Sequence, residues 1–159
     1  NFVKNFDLDY QNLLFYGTVG TGKSFLSNCI ASEINKKGHS VIYFSSGDLF
    51  AKISEYAFRK NGKTSDTSPY EEIYNCDLLV LDDLGTELTN SFVISQLFTC
   101  LNERHLRRKS TIISTNLAME DLRDRYDDRI FSRIISNYDV CKLSGQDVRI
   151  YKKRMMNRK

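Results

Sequence analysis

The segment Gly17-Thr18-Val19-Gly20-Thr21-Gly22-Lys23-Ser24 restricts what this chain can fold into more than any other. It matches the pattern G-x-x-x-x-G-K-[ST]. It follows an apolar run of strand length, Leu13-Leu14-Phe15-Tyr16, and opens a stretch over residues 23–37 with Phe25, Leu26, Cys29, Ile30 and Ile34 at helical spacing. In a strand–loop–helix unit the glycines let the backbone curl until successive N–H groups point into one concavity, an anion nest at a helix N-terminus. A chance glycine-rich turn would not carry that context. All eight residues are therefore expected to cradle the phosphates of ATP or ADP. Lys23 would reach the β- and γ-phosphates, and the Ser24 hydroxyl would ligate Mg2+.

Further strand-length runs follow at Val41-Ile42-Tyr43-Phe44, Leu78-Leu79-Val80-Leu81 and Thr111-Ile112-Ile113-Ser114, with a weaker one over residues 138–143. The strong runs are continuous rather than alternating, which marks strands covered on both faces, as in a parallel α/β sheet. Residues 91–107 read as a helix through Phe92, Ile94, Leu97, Phe98 and Leu101, and residues 60–69 as a loop or insertion. Each strand ends in polar residues at its carboxyl edge, where open α/β sheets bind ligands.

With 159 residues, 41% of them apolar and 27% charged, the chain suits one globular domain. The net charge of +3 permits a nucleic-acid partner without arguing for one. Four cysteines lie far apart, none in C-x-x-C spacing, and there are two histidines, so free buried thiols are expected rather than zinc ligands or disulfides. No run approaches the about 20 apolar residues that span a bilayer, and no secretory signal precedes the first strand; a cytoplasmic location without a membrane partner is expected. The chain opens at Asn1 without an initiator methionine and is expected to lack an upstream partner-binding domain.

Leu78-Leu79-Val80-Leu81-Asp82-Asp83 places two carboxylates at a strand tip. Asp82 would hold Mg2+ through water, and Asp83, facing differently, would polarise an attacking water. Glu87 reads either as a supporting acid or as a solvated loop residue. Asn116, closing the fourth strand after Ser114-Thr115, would orient the water near the γ-phosphate. Arg129 and Arg133 stand one helical turn apart. Arginine suits transition-state charge, but on pattern alone ordinary salt bridges to Asp127, Asp128 or Glu120 are the favoured reading.

Together the segments G-T-V-G-T-G-K-S, L-D-D-L-G-T-E, S-T-N and D-R-I-F-S-R-I resemble the AAA+ ATPases of the DnaC/DnaI helicase-loader and IstB-like family, from Leu13 to about Arg149. The resemblance implies a three-layer αβα P-loop fold with a five-stranded parallel sheet in the order 5-1-4-3-2. Residues 1–159 would be one AAA+ domain with a minimal lid. It implies slow, oligomerisation-dependent ATP hydrolysis with Asn116 as sensor 1, Arg133 as an arginine finger acting on a neighbouring copy and Arg149 as a sensor-2 arginine. The implied partners are further copies of the chain, single-stranded DNA and a hexameric replicative helicase reached through the missing N-terminal part. A loader-specific helix would cover Gly47 to Lys60, making Phe58, Arg59 and Lys60 candidate DNA contacts along with Asn90 and Phe92.

The chain departs from the wider AAA+ pattern at Asp83, where most members carry Glu; the carboxylate is retracted by one methylene. Two basic clusters, Arg104, His105, Arg107, Arg108, Lys109 and Lys152, Lys153, Arg154, Arg158, Lys159, read either as DNA phosphate contacts or as helix-end and tail charges. Alternatives to a loader are an IstB-like transposition helper, a nucleotide-switched binding protein and a small-molecule P-loop kinase.

Overall fold

The computed structural model describes residues 1–58, 69–145, 147 and 148. The chain runs α1 (Phe2–Asn5), β1 (Leu13–Tyr16), α2 (Lys23–Lys36), β2 (Val41–Ser45), α3 (Ser46–Phe58), α4 (Pro69–Asn75), β3 (Leu78–Leu84), α5 (Ser91–Leu106), β4 (Ser110–Thr115), α6 (Met119–Asn137) and β5 (Asp139–Lys142). The strands form one five-stranded sheet in the order β2-β3-β4-β1-β5, with every pairing parallel. This is the expected order read from the other edge, and the weak fifth strand takes its place beside β1.

Side chains alternate across a strand, so a run buried on both faces feeds two cores. Leu79 and Leu81 enter the core shared with α3, α4, α5 and α6, built around Leu49, Leu97, Ile113 and Ile130. Leu78 and Val80 enter the opposite core with Phe15, Ile112, Phe2 of α1 and Ile34 of α2. The alternation is what makes the strands read as unbroken apolar runs.

Helix α2 differs from its expected packing. Ser27, Ala31 and Ile34 face the sheet, whereas Phe25 is 75% exposed and Cys29 is exposed as well. Small residues on the buried face let the helix that follows the loop approach the strands closely, and they turn Phe25 and Leu26 towards the loop's own cavity. Of the remaining cysteines, Cys76 and Cys100 are buried but Cys141 is only partly covered. Helix α6 is two helical segments joined at Asp127, whose backbone is left-handed at φ 73°. The Asp127 carboxylate accepts from the Arg129 and Ile130 N–H groups at 2.9 and 3.1 Å, capping the second segment from within. No helix among the described residues is long and apolar enough to cross a membrane.

The basic cluster at the end of α5 is used by the fold. Arg104 is fully buried, and its guanidinium donates to the carbonyls of Ile73 at 2.6 Å, Cys76 at 3.0 Å and Ser110, and to Thr111 Oγ1 at 2.9 Å. It cannot reach DNA. Arg107 pairs with Glu71 and Glu103, Lys109 with Asp77, and His105 meets the Tyr10 hydroxyl. The second cluster, residues 152–159, lies outside the described residues, as do Arg59, Lys60 and Arg149.

Two measurements check these assignments. Arg104→Met strands three carbonyls in the core and is expected to lower unfolding free energy by about 3 kcal/mol in urea titrations. Asp77 is partly buried, which by itself raises a carboxyl pKa, but Lys109 at 2.8 Å and the Ser40 N–H and hydroxyl overcome this and bring it down to about 2 from 3.8. A depressed folded-state pKa adds stability that is complete above the unfolded value and disappears as pH falls towards 2. Asp77→Asn should therefore flatten the melting-temperature slope between about pH 4 and pH 2, leaving the rest of the profile parallel.

Candidate functional site

Parallel strands end at the same edge, and the register sets what meets there. Tyr16, the residue before Gly17, pairs opposite Thr115, the residue before Asn116. Ser45 at the end of β2 pairs opposite Asp82. The loop, the acidic pair and the amide thus converge although they are far apart in sequence.

The loop runs from Gly17 into α2. Gly22 sits at the N-cap with φ 93°, a left-handed conformation that side chains disfavour, and its carbonyl already accepts from the Leu26 N–H at 2.9 Å. At Gly17 a Cβ would stand 2.0 Å from the carbonyl oxygen of Leu143, which leaves β5 directly against the loop. Lys23, only 4% exposed, donates to the carbonyls of Gly17 at 2.7 Å and Thr18 at 2.8 Å. Burial lowers its pKa, opposed by the charges of Asp83 and Asp82. A cavity of about 740 Å3 opens over the loop, bounded by Lys23, Ser24, Asp83 and Asn116 on its polar side and by Leu26, Leu143 and Val148 on its apolar side.

Asp82 is 9% exposed and is held by three hydroxyls. Ser24 Oγ donates to Oδ1 at 3.1 Å, Ser114 Oγ makes a short bond to the same oxygen, and the Tyr43 hydroxyl donates to Oδ2 at 2.8 Å. Burial, then the bond to Asp82, pushes the Tyr43 phenol well above its usual range. The next residue turns away: Asp83 is left-handed at φ 54°, its N–H donates to Ser114 Oγ at 3.0 Å, and its Oδ1 lies 3.4 Å from Asn116 Nδ2. The two carboxylates therefore face different partners, as the sequence suggested. Asp82 and Ser24 present hard oxygen atoms side by side, a donor set suited to Mg2+.

Glu87 is neither solvated nor idle. It is 7% exposed, accepting from Ser46 Oγ at 2.6 Å, from the Gly85 N–H at 3.0 Å and from the Tyr126 hydroxyl in a short bond. Burial alone would raise its pKa, yet the Ser46 and Tyr126 hydrogen bonds leave it lowered. Ser46 Oγ also lies 3.0 Å from the carbonyl oxygen of Asp83. One carboxylate thus joins the loop after Asp83 to the start of α3 and to α6. Tyr43, Ser46 and Tyr126 escaped the sequence reading, because an isolated hydroxyl carries no pattern.

Arg133 does not line the loop cavity. It lies in a separate groove between α5 and α6, its guanidinium 5.2 Å from the centre of the Phe98 ring, with Nε buried and lacking an acceptor. Arg129 shares the Phe98 ring at 5.5 Å but pairs with Asp127 at 3.0 Å, whereas no ion pair holds Arg133 among the described residues. The salt-bridge reading thus applies to Arg129 alone. Asn90 caps α5, accepting from the Val93 N–H at 2.9 Å, and the Phe92 ring meets that of Phe58 at 45° with ring centres 5.3 Å apart. Those three residues share one rim of the molecule, and Phe58 remains 69% exposed.

The family model described as IstB-like ATP binding protein matches residues 3–156. This chain belongs to the IstB-like ATP-binding family. Among curated members of the group, the replicative helicase loader DnaC of Escherichia coli K12 is 28% identical over 136 residues, 84% of this chain and 54% of that protein. The putative insertion sequence ATP-binding protein y4pL of Sinorhizobium fredii is 29% identical over 150 residues, 91% of this chain and 59% of that protein. A crystal structure of the DnaC helicase loader superposes with a TM-score of 0.78 at 27% identity, covering 90% of this chain and 84% of that one. The chain spans little more than half the length of the curated relatives it matches. The IstB-like domain here has the AAA+ architecture of those neighbours.

Removing the Glu87 carboxylate should expose its structural part. Glu87→Ala leaves the Ser46 and Tyr126 hydroxyls without an acceptor and is expected to cost about 3 kcal/mol in chemical denaturation, with Glu87→Gln costing less than half of that.

Proposed function

We propose that this chain is the ATPase core of a replicative helicase loader, one that assembles on single-stranded DNA and completes each ATP site with a neighbouring copy. The observation that carries this reading is the division of the charged groups between two surfaces. Lys23, Ser24, Asp83 and Asn116 line one cavity, with Asp82 bonded to Ser24 at 3.1 Å, while Arg133 lies in a separate groove and forms no ion pair among the described residues. An arginine presented in this way suits a phosphate belonging to another subunit.

In the proposed site the loop N–H groups and Lys23 bind the β- and γ-phosphates. Ser24 and Asp82 would hold Mg2+, which when bound neutralises phosphate charge. Asn116 orients the water and Asp83 accepts its proton; being an aspartate it reaches less far than a glutamate, which favours slow turnover. Arg149, outside the described residues, is proposed to contact the nucleotide as well. Exposed Phe58, beside the partly buried Phe92, suits stacking on unpaired bases, with Asn90, Arg59 and Lys60 beside the pair in sequence. The hexameric replicative helicase is the proposed protein partner, in the cytoplasm.

A second reading, a transposition helper with the same chemistry, is favoured by the insertion-sequence relative, which matches 91% of this chain. Both readings require shared sites. A small-molecule kinase would have no task for an arginine on a second surface, and a nucleotide switch without hydrolysis rests on Asp83 alone.

The test is steady-state ATP hydrolysis across protein concentrations, with and without single-stranded DNA. The rate per subunit is expected to rise with concentration and further with DNA, and Arg133→Ala should lose about 10³-fold or more in turnover while binding ATP normally. A flat rate indifferent to DNA, or a fully active Arg133→Ala, would overturn the shared-site reading.

A further inference from the structure

The carboxylate of Asp82 has two oxygens, and their donors come from different sides. Oδ1 receives the Ser24 and Ser114 hydroxyls, whereas Tyr43 is the hydroxyl donor to Oδ2. The sheet explains why a tyrosine does this. In the β2–β3 register Tyr43 pairs opposite Val80, two residues before Asp82. Residues two apart share a face of a strand, so Val80 and Asp82 point to the α2 side, where Tyr43 packs beside Val80. The phenol is long enough to reach forward along β3 to the carboxylate; a serine or threonine at the same position is not.

Two further contacts fix the phenol. Asn28 on α2 donates from Nδ2 to the Tyr43 hydroxyl at 3.3 Å and to the carbonyl of Ser24 at 3.0 Å. With its oxygen accepting from Asn28, the hydroxyl proton is directed at Asp82. The amide also links Tyr43 to the residue whose hydroxyl lies against Oδ1. Helix α2, strand β2 and strand β3 are thus tied together around one carboxylate.

We propose that Tyr43 is a positioning residue for metal binding, holding Oδ2 of Asp82 so that Oδ1 stays turned towards Ser24. A carboxylate anchored at one oxygen cannot rotate the other away from the position that a hydrated Mg2+ would occupy beside the Ser24 hydroxyl. Partners that orient metal-facing carboxylates in this way commonly contribute about 10–100-fold to metal affinity. The inference rests on the Mg-ATP reading above and adds to it a residue on the neighbouring strand.

Tyr43→Phe removes the one hydroxyl and keeps the ring in its core. The experiment measures binding of a fluorescent, non-hydrolysable ATP analogue, first in EDTA and then across a Mg2+ titration. Metal-free affinity is expected to stay within twofold of wild type, while the Mg2+ concentration that gives half of the full effect rises about 10-fold. If the Mg2+ response of Tyr43→Phe equals that of wild type, the proposal fails and the Mg-ATP reading stands. It fails equally if metal-free and metal-bound affinities fall together, because the hydroxyl then acts only by holding the fold. A wild-type protein whose binding ignores Mg2+ would overturn the Mg-ATP reading and the role of Tyr43 with it.

Discussion

A charge at the end of a buried strand is tolerated only where donors meet it, and Asp82 shows how much of this molecule is arranged to do so. Its donors come from the loop–helix boundary, from β2 and from β4. They coincide because parallel pairing brings the carboxyl ends of β1, β2, β3 and β4 to one edge. The glycine loop, the left-handed Asp83 and the amide of Asn116 are then carried to the same place by the same register. Loss of that register would take the carboxylate's partners away and separate the cavity's polar wall into unrelated surface groups.

The fold treats its other buried charges alike, and this distinguishes residues consumed by structure from residues left available. Arg104 is surrounded by carbonyls and Glu87 by hydroxyls and a backbone N–H. Both look like surface charges in sequence, one in a basic cluster and the other in a loop, and both are satisfied internally. Arg133 is the contrast. It is half-buried against an aromatic ring, with one N–H unpaired and no carboxylate partner among the described residues. An always-charged group packed on a ring keeps its charge, which is why Arg133 is the residue proposed to serve a neighbouring copy.

The same architecture occurs in a helicase loader, and the sequence is also similar to that of an insertion-sequence ATP-binding protein. A fold shared by proteins with different roles leaves partner choice to surfaces away from the common edge. The surface proposed here for DNA lies where the end of α3 meets the start of α5. The Phe58 and Phe92 rings meet there at 45°, while Asn90, whose side chain is engaged in capping, sets the helix start.

The nucleotide loop, the strand carrying Asp82 and Asp83 and the sheet's parallel class were legible in the sequence, and the sheet's order followed from the family resemblance. These depend on contiguous patterns, namely glycine spacing, apolar runs and a recognisable succession of motifs. The face that α2 presents was misread, because hydrophobic spacing cannot tell a core-facing phenylalanine from one that borders a cavity: Phe25 is exposed, and Ser27 and Ala31 are what the sheet accepts. Of the partners of charged groups, only the local Arg129–Asp127 pair was legible. Tyr43 meets Asp82, and Tyr126 meets Glu87, across 39 residues of chain in each case. What the sequence by itself determined is the backbone and the chemistry of the loop and the strand tip, since local steric and polar patterns suffice for them. Which hydroxyl holds which carboxylate, and which arginine has no ion pair among the described residues, only the tertiary structure decided, because hydrogen bonds between distant elements depend on register and burial that no local pattern encodes.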